Sequence, residues 1–257
     1  MQQRVCIVRR AQYPFDSLIR RNAETLVVAG YSVDMVCLRG RNEQRHESVG
    51  GVQVHRLPMR RRRAGMLTYL LDYLTTLVLA FLEVTRLQLR HPFAIVEVDS
   101  MPDFLVFAAL VPRMRGARIV IYLLESMPEI WAQKTGKPMT HWTIRLIAWQ
   151  ERISCRFADK VVCCHDRARS ALVQMGIPEE KIVVILNVPD ERVFPQRFLH
   201  SGVSQQRNGV FNIIQHGTIT DNYGVHVVIQ ALKLMRPDIP VMYNVVGNGE
   251  DRPRLEK

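Results

Sequence analysis

The stretch RVCIVRRAQYPFDSLIRRNAETLVVAGYSVDMVCL, residues 4–38, decides the fold class. It opens with a β-branched apolar run at 4–8, places apolar residues at near-helical spacing over 17–29, and ends with an alternating run at 32–38. Gly30 stands where the C-terminal cap of the helix is expected. Strand, helix and strand in succession predict a βαβ unit, and hence a parallel sheet with a right-handed crossover.

The same alternation continues towards residue 186. Apolar runs predict further strands at 52–57, 93–98, 118–124, 160–164 and 181–186. Helical spacing predicts helices at 66–90, 104–114, 141–157 and 166–175. This order is typical of an α/β protein with a doubly wound parallel sheet.

The pattern stops at residues 196–209 (QRFLHSGVSQQRNG), which are polar and have no period. It then restarts with a strand at 210–215, a loop at 216–224, a helix at 225–235 and a strand at 241–246. We therefore predict a Rossmann-like N-terminal domain over 1–195, a linker over 196–209, and an incomplete second Rossmann-like domain over 210–257. One βαβ unit cannot cover both faces of its own sheet, so we expect the second domain to be truncated.

Composition and charge narrow the function classes. The 257 residues are 47% hydrophobic and 23% charged, which excludes disordered and collagen-like proteins. The net charge of +11 indicates an anionic partner, and residues 1–63 hold 13 arginines against five acidic residues. No helix-turn-helix, RNA-binding aromatic signature or finger spacing is visible, so we predict no nucleic-acid partner.

The cysteines and the amino terminus indicate the compartment. Five cysteines lack CxxC spacing and a nearby histidine ladder, which predicts neither a disulfide framework nor a metal site. The first apolar run is too short for a signal peptide. The predicted location is therefore the cytoplasm, which is a reducing compartment. Peripheral contact with the inner membrane face is a further expectation.

Residues 66–90 leave three alternatives open. They are apolar over nearly the length of a membrane span, but Asp72 and Glu83 interrupt them, and a central charge costs about 2.5–3.5 kcal/mol on insertion scales. A buried amphipathic helix is the first interpretation and a spanning helix the least favoured. The third is a helix on a membrane surface, with Arg60, Arg61, Arg62 and Arg63 as an anion patch that attracts acidic lipid.

Three loops follow predicted strands and are candidate sites. His216 to Gly224 joins a strand to a helix, where backbone amides and the helix dipole bind phosphate, and Gly217 permits close approach. A second turn spans 246–250. The segment after the strand at 118–124 contains Glu125 and Glu129, candidates for acid–base chemistry, although Glu129 equally fits a helix-flanking role.

Taken in order, these segments resemble family 4 glycosyltransferases, enzymes of the GT-B fold with two facing Rossmann-like domains. The resemblance rests on five segments in series: RRAQYPFD at 9–16, AGYSVDMVCLR at 29–39, LLESMPE at 123–129, FADKVVCCHDRARSALVQMGIPEEKIVVILNVPDERVF at 157–194, and HGTITDNYGVHVVIQAL followed by VVGNGED at 216–251.

The resemblance implies transfer of a sugar from a nucleotide-diphosphate sugar to an acceptor, a glycan or lipid-linked precursor, with retention of anomeric configuration. It implies no cofactor beyond this co-substrate and no obligatory metal. Donor phosphates would contact His216, Gly217 and Thr218, and the nucleotide side would use Gly247, Gly249 and Glu250. Tyr13, Asp16 and Arg20 would lie on the acceptor-side loop. No catalytic residue is assigned beyond the candidates Glu125 and Glu129.

The sequence departs from the family pattern at several positions. Leu124 stands in place of a common histidine, Tyr223 in place of a basic residue, and Leu18 in place of an arginine. The family's paired glutamates, seven residues apart, belong beyond Lys257, so we expect the 257-residue chain to be inactive alone. The contrasting hypothesis is a non-catalytic Rossmann-like module that binds a membrane surface or a protein partner. A nicotinamide-dependent oxidoreductase is disfavoured because the first strand lacks the glycine turn.

Overall fold

The structure is a computed structural model that describes residues 2–59, 66–189, 209–236 and 239–256. The chain divides into two compact units, Met1–Asp190 and Glu191–Lys257. The predicted linker at 196–209 lies outside the described residues except for Gly209, so it stays a prediction.

In the described part of unit 1, eight strands form one sheet. They are β1 (Arg4–Val8), β2 (Ser32–Leu38), β3 (His46–Val49), β4 (Val52–Leu57), β5 (Ile95–Asp99), β6 (Arg118–Leu123), β7 (Lys160–Cys163) and β8 (Ile182–Val184). The spatial order is β3-β4-β2-β1-β5-β6-β7-β8, and every neighbouring pair is parallel except β3 with β4. The order reverses between β1 and β5, which defines a topological switch point.

The helices of unit 1 connect these strands. They are α1 (Ser17–Val28), α2 (Met66–Arg90), α3 (Leu110–Met114), α4 (Met127–Thr135), α5 (Trp142–Phe157) and α6 (Asp166–Gln174). A 3-10 helix at Asp103–Ala109 leads into α3. Among the residues that the structure describes, none of these helices combines the length and apolarity needed to cross a bilayer.

The core of unit 1 has two clusters because successive side chains of a strand point to opposite faces. Cys6 and Val8 of β1 pack in one cluster with Ala80, Val84 and Leu87 of α2. Val5 and Ile7 pack in the other with Ile19 and Ala23 of α1. Apolar side chains therefore cover the sheet on both faces, as a parallel sheet requires.

Unit 2 has two parallel strands in its described part, β9 (Phe211–Thr218) and β10 (Val241–Asn248), joined through α7 (Val225–Lys233). A short helix, α8 (Arg252–Leu255), follows. Several apolar side chains of this unit are exposed: Phe211, Ile214, Val227, Met242 and Val246. Unit 2 thus buries far less apolar surface than unit 1.

The α/β class and the doubly wound parallel sheet are confirmed. The predicted strands at 4–8, 32–38 and 52–57 and the helix at 66–90 match the structure to the residue. Three of these elements were not predicted: β3, α4 and α8. The four residues of β3 (HESV) are mostly polar and carry no apolar alternation, so the sequence pattern has no signal there.

The predicted ends of β9 and β10 were wrong. The loop expected to begin at 216 begins later, because β9 continues through His216, Gly217 and Thr218 in register with β10. Likewise β10 extends to Asn248, so Gly247 is a strand residue and not a turn residue. Both extensions pass through glycine, a residue depleted in strands, which explains why the pattern ended early.

Candidate active site

The carboxyl ends of β1 and β5 meet at the switch point of the unit 1 sheet. Ligands of doubly wound sheets bind in the crevice outside such a point. Arg9 follows β1, and Asp99 is the last residue of β5. This edge therefore places charged groups where the fold provides a binding crevice.

Arg9 joins two carboxylates at this edge. Its guanidinium donates from Nη1 to Asp99 Oδ2 at 3.1 Å and from Nη2 to Asp16 Oδ2 at 2.9 Å. Asp16 is also the N-cap of α1, where its Oδ1 accepts from the backbone N–H of Leu18 and Ile19. The start of α1 is thus tied to the ends of β1 and β5.

The acidic groups of β5 are held in a poorly solvated environment. Burial raises the pKa of Glu97 and of Asp99, and the negative charge of Asp99 raises the pKa of Glu97 further. Arg9 opposes both effects by stabilising the ionised carboxylates. Glu97 Oε1 is buried without a hydrogen-bond partner among the described residues. A buried carboxyl of raised pKa beside a crevice is a candidate for hydrogen bonding to a substrate or for proton transfer.

The predicted acceptor-side residues occupy different environments. Asp16 lies in the network just described. Tyr13 is buried in the core, where burial raises the pKa of its hydroxyl to about 12. The Arg20 side chain is exposed on α1, where its Nε donates to Glu24 Oε1 at 2.9 Å. The structure thus brings Asp16 to the edge, whereas Tyr13 lies in the core and Arg20 pairs with Glu24.

A second concavity, a pocket of about 490 Å³, opens at the ends of β6 and β7. Glu125, Glu129, Glu151 and His165 line it. Glu125 and Glu129 are exposed, and Glu129 lies in the first turn of α4, where a negative charge complements the helix dipole. His165 is the N-cap of α6, with its Nδ1 accepting from the Ala168 N–H at 3.0 Å. Both glutamates therefore face this pocket, and Glu129 also flanks a helix.

Glu151 is the buried acid of this pocket. Its carboxylate accepts from the Met127 N–H at 3.1 Å, which joins α5 to the start of α4. Burial, followed by the negative charge of Asp103, raises its pKa to about 8. Asp103 is itself buried, which raises its pKa to about 7. Burial therefore favours the protonated form of Glu151.

In unit 2 the residues predicted to contact the donor phosphates lie beside those predicted for the nucleotide side. Gly217 pairs with Gly247 and Thr218 with Asn248 in the parallel register of β9 and β10. A Cβ on Gly247 would lie 1.8 Å from the Gly217 carbonyl oxygen, and one on Gly249 would lie 2.0 Å from that of Ile219. Glycine is therefore required at both positions, because the two backbone segments approach each other closely. His216, Thr218 and Glu250 are exposed beside them.

The predicted anion patch, Arg60, Arg61, Arg62 and Arg63, lies outside the described residues. The helix that follows it, α2, is amphipathic. Thr76, Ala80, Val84 and Leu87 are buried, whereas an apolar stripe of Leu70, Leu71, Leu74, Val78 and Leu82 is exposed.

Comparison with known proteins decides the family. The model of the "glycosyl transferase 4-like domain" matches residues 17–187, about two thirds of the chain. The chain belongs to this glycosyltransferase family. The resemblance inferred from the motifs is therefore confirmed. The matched residues run from the start of α1 to the end of β8, and they include Asp99 and the residues that line the pocket at the ends of β6 and β7.

Several solved structures share the fold of this chain. Sucrose-phosphate synthase from Thermosynechococcus elongatus aligns with a TM-score of 0.61 at 11% identity, over 95% of this chain and 71% of that one. Anabaena Alr3699/HepE in complex with UDP aligns with a TM-score of 0.61 at 14% identity, over 100% and 64%. The lipopolysaccharide outer core galactosyltransferase WaaB aligns with a TM-score of 0.59 at 11% identity, over 99% of this chain and 63% of WaaB. The glycosyltransferase chain therefore has a GT-B-like α/β fold with an incomplete second unit.

Two further findings concern the length of the chain and its sequence matches. The glycosyltransferase chain spans less than two thirds of the length of HepE and WaaB. No curated protein sequence matches it significantly.

Sequence reasoning missed the β1/β5 network of this glycosyltransferase, Arg9 with Glu97 and Asp99. The available signal is the segment Ile95-Val-Glu-Val-Asp99, in which two acids interrupt a strand expected to be buried on both faces. Glu151 was missed because it lies within an amphipathic helical pattern, where a charged residue has no distinguishing neighbour in sequence.

Proposed function

We propose that this chain acts in the transfer of a glycosyl residue from a nucleotide-diphosphate sugar to an acceptor, with retention of configuration. The family match over residues 17–187 is the observation that supports this activity most strongly. The fold shared with HepE, whose structure contains UDP, supports a nucleoside diphosphate as the leaving group. No cofactor is proposed beyond this co-substrate.

The donor phosphates would bind in unit 2 at His216, Gly217 and Thr218. Open space lies where a Cβ on Gly217 would stand, which lets a phosphate approach the backbone closely. The α7 helix begins at Val225, seven positions after Thr218, and its N-terminal amides carry a partial positive charge. Negative charge that develops on the departing diphosphate would be stabilised there. The nucleotide would extend towards Gly249 and Glu250.

The acceptor would bind in unit 1 at the carboxyl edge of the sheet. Asp16 and Asp99, fixed by Arg9, present carboxylate oxygens that suit sugar hydroxyl groups. Glu125 and Glu129 at the neighbouring pocket are the proposed acid–base candidates, with Glu151 as the buried acid behind them. The name of WaaB, a lipopolysaccharide galactosyltransferase, supports a glycan or lipid-linked precursor as the acceptor class.

We also propose that the 257 residues alone give no turnover. The family's glutamate pair at a seven-residue spacing does not occur within unit 2 of this sequence. Binding, not turnover, is therefore the informative assay for this chain.

Calorimetric titration with UDP, GDP and ADP tests the proposal. We expect saturable binding of one of them to the 257-residue chain, weakened at least fivefold in Thr218→Val. The control Thr135→Val changes an exposed threonine of α4 in unit 1 and leaves the affinity unchanged. Equal affinities in the two variants, or no binding of any diphosphate, would contradict the proposed donor site.

A second candidate function is a non-catalytic module that docks on an anionic membrane or on a protein partner. The exposed apolar stripe of α2 favours it, because a contiguous apolar surface next to a basic segment is typical of interfacial binding. The proposed location is then the cytoplasm, at the inner membrane face.

Liposome flotation separates the two candidates. If docking is correct, vesicles with anionic lipid carry the chain upward, and Leu74→Gln with Leu82→Gln or serine at all of Arg60–Arg63 abolishes it. If neither change alters flotation, the docking candidate fails, and the glycosyl-transfer proposal is unaffected.

A further inference from the structure

Two histidines and a glutamate converge at the edge of the unit 1 sheet, away from the residues assigned above. His46 on β3 and His55 on β4 are direct partners in the antiparallel register. Their Nδ1 atoms lie 3.3 Å apart. Glu83 of α2 places Oε1 3.6 Å from His55 Nδ1. One ligand atom from each of the three residues lies within 4.8 Å of the other two.

A second carboxylate orients His55. Its Nε2 lies 2.8 Å from Asp34 Oδ1, and Asp34 is buried on β2. When the Nε2–H donates to this carboxylate, the Nδ1 of the neutral ring is left with a free lone pair directed at His46 and Glu83. A carboxylate behind a histidine is the arrangement that holds metal-ligating imidazoles in place and raises their basicity.

The spacing of the ligand atoms suits a small tetrahedral cation. Zinc binds imidazole nitrogen at about 2.0–2.1 Å, so two nitrogens at a tetrahedral angle lie about 3.3 Å apart. The separation of the two Nδ1 atoms is 3.3 Å. We propose that His46, His55 and Glu83 form a binding site for a divalent transition-metal ion of the Zn²⁺ class. His46 is exposed, so water or an external ligand would complete the fourth position.

Arginines flank both carboxylates of the cluster. Arg86 donates to both carboxylate oxygens of Glu83, and Arg4 donates to Asp34 Oδ2 at 2.5 Å. A metal ion bound to Glu83 would therefore replace part of the Arg86 contact, and Asp34 and Glu83 would supply the negative charge around the ion.

The cysteine spacing of the sequence gives no sign of this site, because no cysteine is among its ligands. The ligands here are separated by 9 and 28 positions and come together only through the β3–β4 hairpin and α2. A bound ion would join the edge strand β3, which has four residues, to the long helix α2. Edge strands are where sheets lose order most readily, so the expected effect is stabilisation of this edge.

The test is calorimetric titration of the chelator-treated 257-residue chain with ZnCl₂, repeated with CoCl₂ while visible absorption is recorded. We expect uptake of one equivalent and the d–d bands of a four-coordinate Co²⁺ ion. His46→Ala and Glu83→Gln should each weaken binding at least tenfold. The matched control His91→Ala removes an exposed histidine outside the cluster and should bind as the parent does.

A thermal melt adds an independent readout. Excess Zn²⁺ should raise the melting temperature of the parent and of His91→Ala, and not of His46→Ala, because a ligand that binds only the native state stabilises it. Since His46 is exposed, its removal should leave the metal-free melting temperature unchanged. Binding that is equally strong in His46→Ala and the parent, or the absence of saturable uptake, would overturn the proposal.

Discussion

Arg9 shows how one side chain organises the carboxyl edge of unit 1. Its guanidinium bonds to Asp16 and Asp99, and its charge favours ionisation of Asp99 and Glu97 against their burial. Removing one partner of a buried charge pair leaves the other charge uncompensated, which costs about 3–5 kcal/mol.

We therefore predict that Arg9→Met lowers the free energy of unfolding by roughly 3 kcal/mol. Urea denaturation at pH 7.5 measures it. The control Arg118→Met removes an arginine that is 78% exposed and 3.7 Å from Asp159, and should change the stability by less than about 0.5 kcal/mol. Equal effects of the two substitutions would mean that the Arg9 network does not stabilise the edge.

Glu151 makes stability depend on pH. Its pKa rises from an ordinary value of 4.5 to about 8 in the folded chain, so the folded state binds more protons than the unfolded state between these values. Stability is then greatest below about pH 4.5, as far as this group is concerned, and falls as the pH rises to 8.

Glu151→Gln should remove that dependence. We expect the parent to lose roughly 2–5 kcal/mol from this group between pH 5 and pH 9, and the variant to lose correspondingly less. Denaturation curves of both proteins across this range give the difference, which includes the change in Asp103 titration when its interaction with Glu151 is removed. Parallel curves would show that Glu151 is not held neutral in the folded state.

At the scale of elements, the β9–β10 pair depends on glycine at the point where the strands meet most closely. A Cβ at 247 would lie 1.8 Å from the Gly217 carbonyl oxygen, and backbone cannot yield as a flexible side chain can.

Gly247→Ala should therefore separate the ends of β9 and β10. We expect faster amide hydrogen exchange at 211–218 and 241–248, with unit 1 unchanged, and loss of diphosphate binding. Asn212→Ala alters an exposed side chain on β9 that donates to the Val210 carbonyl, and should leave exchange as in the parent. Unchanged protection in Gly247→Ala would contradict the close approach of these strands.

The elements also show what sequence can predict. Long runs with a regular period, such as β2 and α2, were predicted to the residue because each buries a face that its own pattern reveals. The short polar strand β3 has no such face. The Arg9 network depends on the strand order, which places residue 9 beside residue 99. The histidine pair meets Glu83 because α2 packs near the β3–β4 hairpin. No local sequence pattern encodes either placement.

At the scale of the whole molecule, the two units differ in how much apolar surface they bury. Unit 1 has apolar clusters on both faces of its sheet, whereas many apolar side chains of unit 2 are exposed. Low burial lowers the free energy of local opening.

We predict that the units lose structure at different denaturant concentrations. Hydrogen exchange in increasing urea should show β9 and β10 unprotected while β1, β5 and β6 retain full protection. A single transition that removes protection from all five strands together would show instead that the chain unfolds as one cooperative body.

The claim that this chain contains the donor-binding segment of a glycosyltransferase has a direct test. Amide NMR shifts of the labelled 257-residue chain, recorded during titration with UDP or whichever diphosphate binds in calorimetry, locate the contact residue by residue. We predict saturable shifts centred on Gly217, Thr218, Gly247 and Gly249, with the amide shifts of β6 and β7 unchanged. Shifts confined to unit 1, or none at saturating nucleotide, would contradict it.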